Sequence, residues 1–489
     1  MPTVSDYLAS LNAKGVRLWV ESGQLLYHAE KGTLNSQELA RLRALRDEII
    51  GELSQSPAHA PLTFQQQWLL ALIQQHADWQ SSQVFSFHLA GLLNVKALER
   101  SIGAIVRRHD ALRARVVIVH GVARQTLDDA LATPIEVGCI TDNFFENVTA
   151  GAQLQAQALA MRGEVSSDSR ALRVKLLRVS DHEHYLILLV HRLAADCVSI
   201  GQVFRELWYQ YGEEIGVQAA ALPEPKQYCD YALWQQQTAN EWEQKHAAYW
   251  QQRLADARRL QWPADGSGCS GSHALASVEG FLGSGLSAGL KEFGRRTKSL
   301  PALVVLTLYA SVVSRWCGQR DFVLPFNVVG RHAAHDSVVG YFSHVLYLRM
   351  RLESNEDFAE LLQVVSQEFY KAVFHQDFGR MSLRHPEFLQ GTFCQWLSWH
   401  PVEVAGREMY DIPRQFGLAV EPVRFQTERE LSNVPPTVTD LDICFFEKGG
   451  DIGMLLIFRA DLFARQTMER LMGELRAMAE QIVKEESGK

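Results

Sequence analysis

Apolar residues recur along this chain at two spacings, every second residue and every third or fourth, and the switches between them predict its elements. At the start, Tyr7, Leu8 and Leu11 sit at helical spacing and the pattern stops before Gly15. Val16–Val20 and Leu25–His28 are short strand-like runs joined by the hairpin turn Glu21-Ser22-Gly23-Gln24. Leu39, Leu42, Leu45, Ile49 and Leu53 then predict one apolar helical stripe, opened by Asn35 or Ser36 with Glu38 following. Residues 1–54 thus form a helix–hairpin–helix unit, and 55–60 a linker with Ser54 and Pro61 at its flanks.

Beyond Pro61 strand and helix patterns alternate. Tyr185–Val190 is a continuous apolar run, which predicts a central strand buried on both faces, with Leu172–Val179 beside it. Ala221–Pro225, with two prolines, breaks the chain; Tyr228–Trp262 reads as helical and rich in Gln and Trp. A second α/β region runs from Gly271 to Val483. The expected fold class is α/β, with lobes at 61–225 and 226–489 behind the small first unit.

Composition narrows the function classes. The 489 residues carry a formal charge of −8 at a pI of about 6.1, so no basic footprint for nucleic acid is present. The N-terminus lacks the basic start and apolar core of a secretory signal. Leu300–Val313, the most apolar stretch, contains Pro301, Thr307 and Ser311 and ends before Arg315, too short to span a bilayer. The seven cysteines are scattered without a Cys-x-x-Cys pair, which argues against a metal site or disulfide framework and for a cytoplasmic protein without membrane partners.

A module as small as 1–54 buries little surface alone and is suited to being held against a partner. Lys14, Arg17, His28, Lys31, Arg41 and Arg43 make an acidic peptide a reasonable ligand, the other reading being a solvated charged face. Candidate chemistry stands at the end of the buried strand, in His191-Arg192-Leu193-Ala194-Ala195-Asp196-Cys197-Val198-Ser199. A histidine and a carboxylate there suit acyl transfer; equally, they can be buried polar groups that satisfy each other or the backbone.

That segment resembles the His-His-x-x-x-Asp-Gly motif of nonribosomal peptide synthetase condensation domains. Other segments resemble the remaining motifs in order: Pro61–Gln67, Arg108–Arg113, Tyr228–Trp234, Phe326–Arg331 with Val339–Phe342, His375–Asp377, and Arg459–Phe463 followed by Thr467–Leu471. The first unit resembles the tubulysin-type β-hairpin docking domains in Gly15-Val16-Arg17-Leu18-Trp19 and Lys31-Gly32-Thr33-Leu34. The resemblance implies two chloramphenicol-acetyltransferase-like lobes in a V-shaped pseudo-dimer with a central tunnel. Donor and acceptor carrier proteins would present thioesters there on phosphopantetheine arms, with no cofactor bound directly. The docking unit would take a short acidic C-terminal motif of an upstream synthase subunit, through Arg17, Trp19, His28, Lys31 and Arg41.

Several positions depart from the family pattern. Its second histidine is Arg192, whose guanidinium stays protonated, with a pKa above ~12, and cannot act as a base. Oxyanion stabilisation and a salt bridge in a decayed site both stay open for it. The motif glycine is Cys197, the opening motif has Trp68 for arginine, and Phe393–Pro401 lacks the usual asparagine. Asp196 is expected to pair with Arg331. His400 and His344 fall on segments expected to line the tunnel, and His400 is the first choice to supply an imidazole. The expected catalytic set is therefore His191, Arg192, Asp196 and His400, with Trp68, Cys197, Ser199, His344 and Ser398 along the tunnel.

Three functions compete. The first is acyl transfer from a carrier-bound thioester to an amine or hydroxyl, by a free-standing, chain-releasing protein or a piece of a larger synthase. The second is an inactive scaffold or gate. The third is heterocyclisation, whose Asp-x-x-x-x-Asp-x-x-Ser pattern is met at Asp196 and Ser199 but not at His191.

Overall fold

The computed structural model describes residues 4, 7, 11, 16–21, 24–29, 33–54, 59–76, 81–119, 121–128, 135–139, 171–217, 222–265, 274–352, 357–376, 385–389, 391–397, 408–423 and 438–487. In the first unit, strands Arg17–Glu21 and Gln24–His28 pair antiparallel, with Glu21 opposite Gln24. Asn35 opens the helix Ser36–Ala44 through a capping box: its side chain accepts from Glu38 N at 2.8 Å and the Glu38 carboxylate accepts from Asn35 N at 3.0 Å. The single helix expected here is interrupted at Leu45 (φ −94°, ψ 11°) and resumes as Arg46–Ser54. Tyr7, Leu11, Val16, Leu18, Leu42 and Ile49 close the unit's own core.

Two larger sheets build the body. The apolar run lies in Glu183–His191, the middle strand of a sheet ordered 419–423, 82–90, 183–191, 172–180, 135–139. Leu186, Leu188 and Val190 share a core with helices Val95–Arg108 and Cys197–Glu214, while Ile187 and Leu189 are buried as well. That explains the unbroken apolar sequence. The second sheet is ordered 275–281, 451–459, 441–448, 392–397, 321–328, 344–351. Its core includes Leu303–Tyr309 of helix Pro301–Cys317, which Pro301 opens and Gly318 ends at φ +62°. Among the described residues no single helix is long and apolar enough to cross a membrane.

Two boundaries differ from the sequence reading. The long helix is Tyr228–Leu254, not 228–262: Asp256 takes φ +55° and Arg259 bridges to Val323 instead. More consequentially, strand Ala419–Val423 pairs antiparallel with Ser82–Ala90, Val420 opposite Leu89. The first sheet therefore borrows a strand from the segment expected to form only the second lobe.

Candidate active site

The middle strand ends at His191, and residues 192–195 turn the chain into helix Cys197–Glu214. Two backbone bonds fix the turn: Arg192 N donates to Ser81 O (2.9 Å) and Ala194 N to His191 O (2.9 Å). Asp196 is the helix N-cap, its Oδ1 accepting from Ser199 N at 2.8 Å. The same carboxylate faces the other lobe. Arg331 Nη2 donates to Asp196 Oδ1 at 2.9 Å, and Phe342 N donates to Oδ2 at 3.1 Å. Both side chains are almost wholly buried, at 4% and 2% exposure.

Ser199 completes the clamp. Its hydroxyl donates to Gly340 O (2.6 Å) and accepts from Arg331 Nη2 (2.6 Å) and Gly340 N (2.9 Å). Arg331 Nη1 donates to Val338 O at 2.6 Å, and the guanidinium lies 4.2 Å from the centre of the Phe342 ring. A β-carbon on Gly340 would fall 2.0 Å from the Tyr228 ring, so only glycine fits there.

Arg192, 6% exposed, lines a cavity of about 200 Å³ with Trp68, Gln83, Asp196, Cys197 and Val198 from one side. Asn327, Val328, Val329, Tyr341, Ser343, Phe393 and Trp396 complete the wall from the other. Burial, then the Asp196 charge, pushes the Cys197 thiol up, away from a nucleophilic thiolate. Gln83 Nε2 lies 4.0 Å from its sulfur. Burial likewise raises the Tyr341 phenol, which stays protonated and able to donate.

His191 is turned to a different place. It lines a cavity of about 30 Å³ with Gln66, Val116, Gln125 and Ala194. Burial first, then the neighbouring Arg192 charge, lowers it to about 4, so the ring is neutral at working pH. Nδ1 accepts from Leu193 N at 3.2 Å, which leaves the proton on Nε2, 3.0 Å from Ser81 Oγ, to be donated there. Such a ring orders the turn without reaching the larger cavity.

The other motifs frame these two cavities. Gln66 Nε2 donates to Leu193 O (2.8 Å) and Gln125 Oε1 (3.0 Å), tying the opening motif to the turn. The Asp110 carboxylate caps the helix at Tyr228 N (2.9 Å) and Cys229 N (2.8 Å), where Gln227 supplies no side-chain cap. Arg108 and His109 both meet Glu206, each at 2.9 Å. The His375 ring stacks on Tyr249, with centroids 3.9 Å apart.

The sequence-predicted residues thus fall in separate places. Arg192, Asp196, Cys197 and Trp68 meet at the larger cavity. Ser199 and Arg331 lie behind it in the clamp, and His191 lies outside it. His344 begins strand His344–Arg351 and its Nδ1 faces Phe342 O at 3.2 Å; the neighbouring Ser343 is the wall residue. Arg41 stacks on Tyr7 at 4.2 Å, and Arg17 pairs with His28 in the hairpin backbone register, where Trp19 lies opposite Leu26. His400, Ser398, Lys31 and Asp377 lie outside the described residues. Sequence reading passed over Gln83 as a wall residue; its signal is register, since it pairs with Val190 beside His191.

Comparison with known proteins gives the family. The Condensation domain model matches residues 56–489 and the TubC N-terminal docking domain model residues 4–55. A linear gramicidin synthase of Brevibacillus parabrevis is 28% identical over 445 residues, 86% of this chain but 6% of that protein, so the chain spans a small part of that relative. The EpoB cyclization-docking bidomain of Sorangium cellulosum matches at TM-score 0.67 and 20% identity, covering 98% of this chain and 97% of the other. The X-domain from teicoplanin biosynthesis, solved in complex with OxyB, matches at TM-score 0.69 and 21% identity, covering 88% and 94%. A chain with two such sheets clamped through Asp196 and Arg331, matched over almost its whole length, belongs to the condensation domain family and carries a TubC-type docking domain at its N-terminus.

Proposed function

We propose that this chain is an acyltransferase that joins a carrier-bound acyl thioester to an amine or hydroxyl acceptor in the cavity beside Arg192. The observation that carries this reading is the intact clamp: Asp196, Ser199, Arg331 and Gly340 hold the two halves of the wall in fixed register. Holding thioester and nucleophile at attack distance supplies most of the rate such a reaction needs. The phosphopantetheine arm delivers the donor as substrate.

Arg192 contributes charge and no proton transfer. Asp196 is occupied by Arg331, Ser199 N and Phe342 N, and the Cys197 thiol is protonated. His400 is the proposed imidazole, because it follows strand Thr392–Leu397, whose Trp396 is on the cavity wall. The docking unit is proposed to bind an acidic C-terminal segment of an upstream synthase subunit, through its basic residues Arg17, Lys31 and Arg41.

The test is intact mass of an acyl-loaded carrier protein incubated with the chain and candidate amine or hydroxyl acceptors. Loss of the acyl group with appearance of amide or ester is expected. Loading that persists with every acceptor, while docking stays tight, would sink the reading. It would favour a scaffold role instead, which the arginine in place of the motif histidine supports. The X-domain found with OxyB illustrates a similar fold engaged with a partner protein.

A further inference from the structure

We propose that Tyr341 is a catalytic residue, whose phenol donates a hydrogen bond to the oxyanion formed when the acceptor attacks the thioester. The proposal rests on the acyltransfer reading above and adds the group that stabilises its transition state.

Tyr341 stands between two residues that the clamp holds. Before it, Gly340 O accepts from Asp196 N (3.1 Å) and from the Ser199 hydroxyl (2.6 Å), and Gly340 N donates to that hydroxyl (2.9 Å). After it, Phe342 N donates to Asp196 Oδ2 at 3.1 Å. The carbonyl of Tyr341 itself accepts from Tyr228 Oη, and Thr63 Oγ1 of the opening motif lies 2.9 Å from that phenol oxygen. The backbone on both sides of Tyr341 is thus tied to Asp196 and Ser199 at the start of helix Cys197–Glu214, which sets the direction of its side chain. What this fixed backbone presents to the cavity is the Tyr341 ring. A donor held in place before the reaction costs no reorganisation when charge develops.

The other polar groups of the wall are committed or unsuited. Both Asp196 oxygens accept within the protein, and Arg192 also has a partner there. Gln83 Nε2 is turned to the Cys197 sulfur, and the Cys197 thiol is a weak donor. Among the hydroxyl and amide side chains of the wall, Tyr341, Ser343 and Asn327 make no side-chain hydrogen bond with the described residues. Of these three, Tyr341 is the one whose titration responds to Arg192, Asp196 and Cys197, so its phenol lies at the motif turn. Burial raises that phenol, and its proton stays on the oxygen at working pH. Such a group serves as a neutral donor and not as a base.

The step balances without a further reactant. The acceptor's nitrogen or oxygen lone pair forms a bond to the thioester carbon, and the carbonyl π pair moves to its oxygen. That oxyanion accepts the hydrogen bond from Tyr341, which keeps its proton throughout. The C=O bond then re-forms, the C–S bond breaks, and the carrier leaves as thiol with the acceptor's proton. The help is given to the donor carbonyl, so it is the same for an amine and for a hydroxyl acceptor.

The test compares transfer from an acyl-loaded carrier protein by the full chain and by Tyr341→Phe, which removes one oxygen and keeps the ring. Loss of one oxyanion donor lowers rate by about 10²–10³, so kcat is expected to fall by that factor with every acceptor. KM for the loaded carrier should stay within about twofold, because the bond is made only in the transition state. Thermal unfolding reports whether the variant folds. If it does not, 3-fluorotyrosine in place of Tyr341 decides, being nearly the same shape and a stronger donor: kcat should rise by about twofold or more. A folded Tyr341→Phe that keeps its kcat or changes only in KM, or a fluorinated chain no faster than wild type, overturns the proposal and leaves the acyltransfer reading standing. A wild-type chain that transfers to no acceptor removes that reading and this proposal with it.

Discussion

Asp196 and Arg331, 135 residues apart in sequence, meet at 2.9 Å where the helix that follows the middle strand of one sheet begins and faces the loop after a strand of the other. Neither is exposed, and beyond their mutual bond Asp196 accepts from the Ser199 and Phe342 amides while Arg331 donates to Val338 O and the Ser199 hydroxyl. The pair is therefore a joint between lobes, and both Asp196 oxygens are engaged within the protein itself.

Removing half of the joint leaves a buried charge uncompensated, which costs about 3–5 kcal/mol. Asp196→Ala and Arg331→Ala are each expected to lower stability by that order in chemical denaturation. The double variant is expected to lose less than the sum, because the second removal deletes the charge that the first exposed. Additive losses would show that the two residues act independently.

His191 titrates far below its ordinary 6.5, at about 4 in the folded chain. The unfolded chain takes up a proton below pH 6.5 and the folded chain does not, so stability falls as pH drops from 6.5 toward 4, by at most ~1.4 kcal/mol per pH unit. His191→Gln should flatten that part of the stability profile. Arg192→Gln should raise the His191 value, read by NMR titration, while burial keeps it under 6.5.

Glu206 shows the opposite linkage. Burial alone would raise its carboxyl, but hydrogen bonds from His109, Gln202 and Arg108 prevail and bring it from 4.5 to about 2. Its contribution is complete above pH 4.5 and disappears as pH falls toward 2. Glu206→Gln should cost stability at neutral pH and make unfolding less sensitive to acid in that window, checked by denaturation at pH 7, 4 and 3.

Arg192→His restores the residue type that the family motif carries at this position. If proton transfer limits turnover, the variant should raise transfer from a loaded carrier by about tenfold or more. An unchanged rate in a folded variant would place the limit at positioning instead.

The parts legible in the sequence were local ones. The run Tyr185–Val190 announced a strand buried on both faces, and Asn35 with Glu38 announced a helix start. Motif order pointed to the family, and the matches over 4–55 and 56–489 bear that out. What escaped depends on pairing across long separations. Asp110 caps a helix 118 residues away, and nothing near Tyr228 says so. Gln83 reaches the cavity wall through its register against Val190. His191 stood in the motif, yet bonds with Leu193 N and Ser81 Oγ fix which way its ring faces.

The strand Ala419–Val423 carries a last consequence, for how this protein can be cut. It covers the outer edge of Ser82–Ala90, and Pro422 is tolerated because the strand itself is outermost. A fragment ending near residue 225 would present the 82–90 backbone as an open template for other chains, with Phe87 and Leu89 beside it. Any two-piece version of this domain, whether made for complementation or for swapping halves between synthases, has to carry 408–423 on the first piece. The seam for engineering runs through the structure, and the midpoint of the sequence is the wrong place to find it.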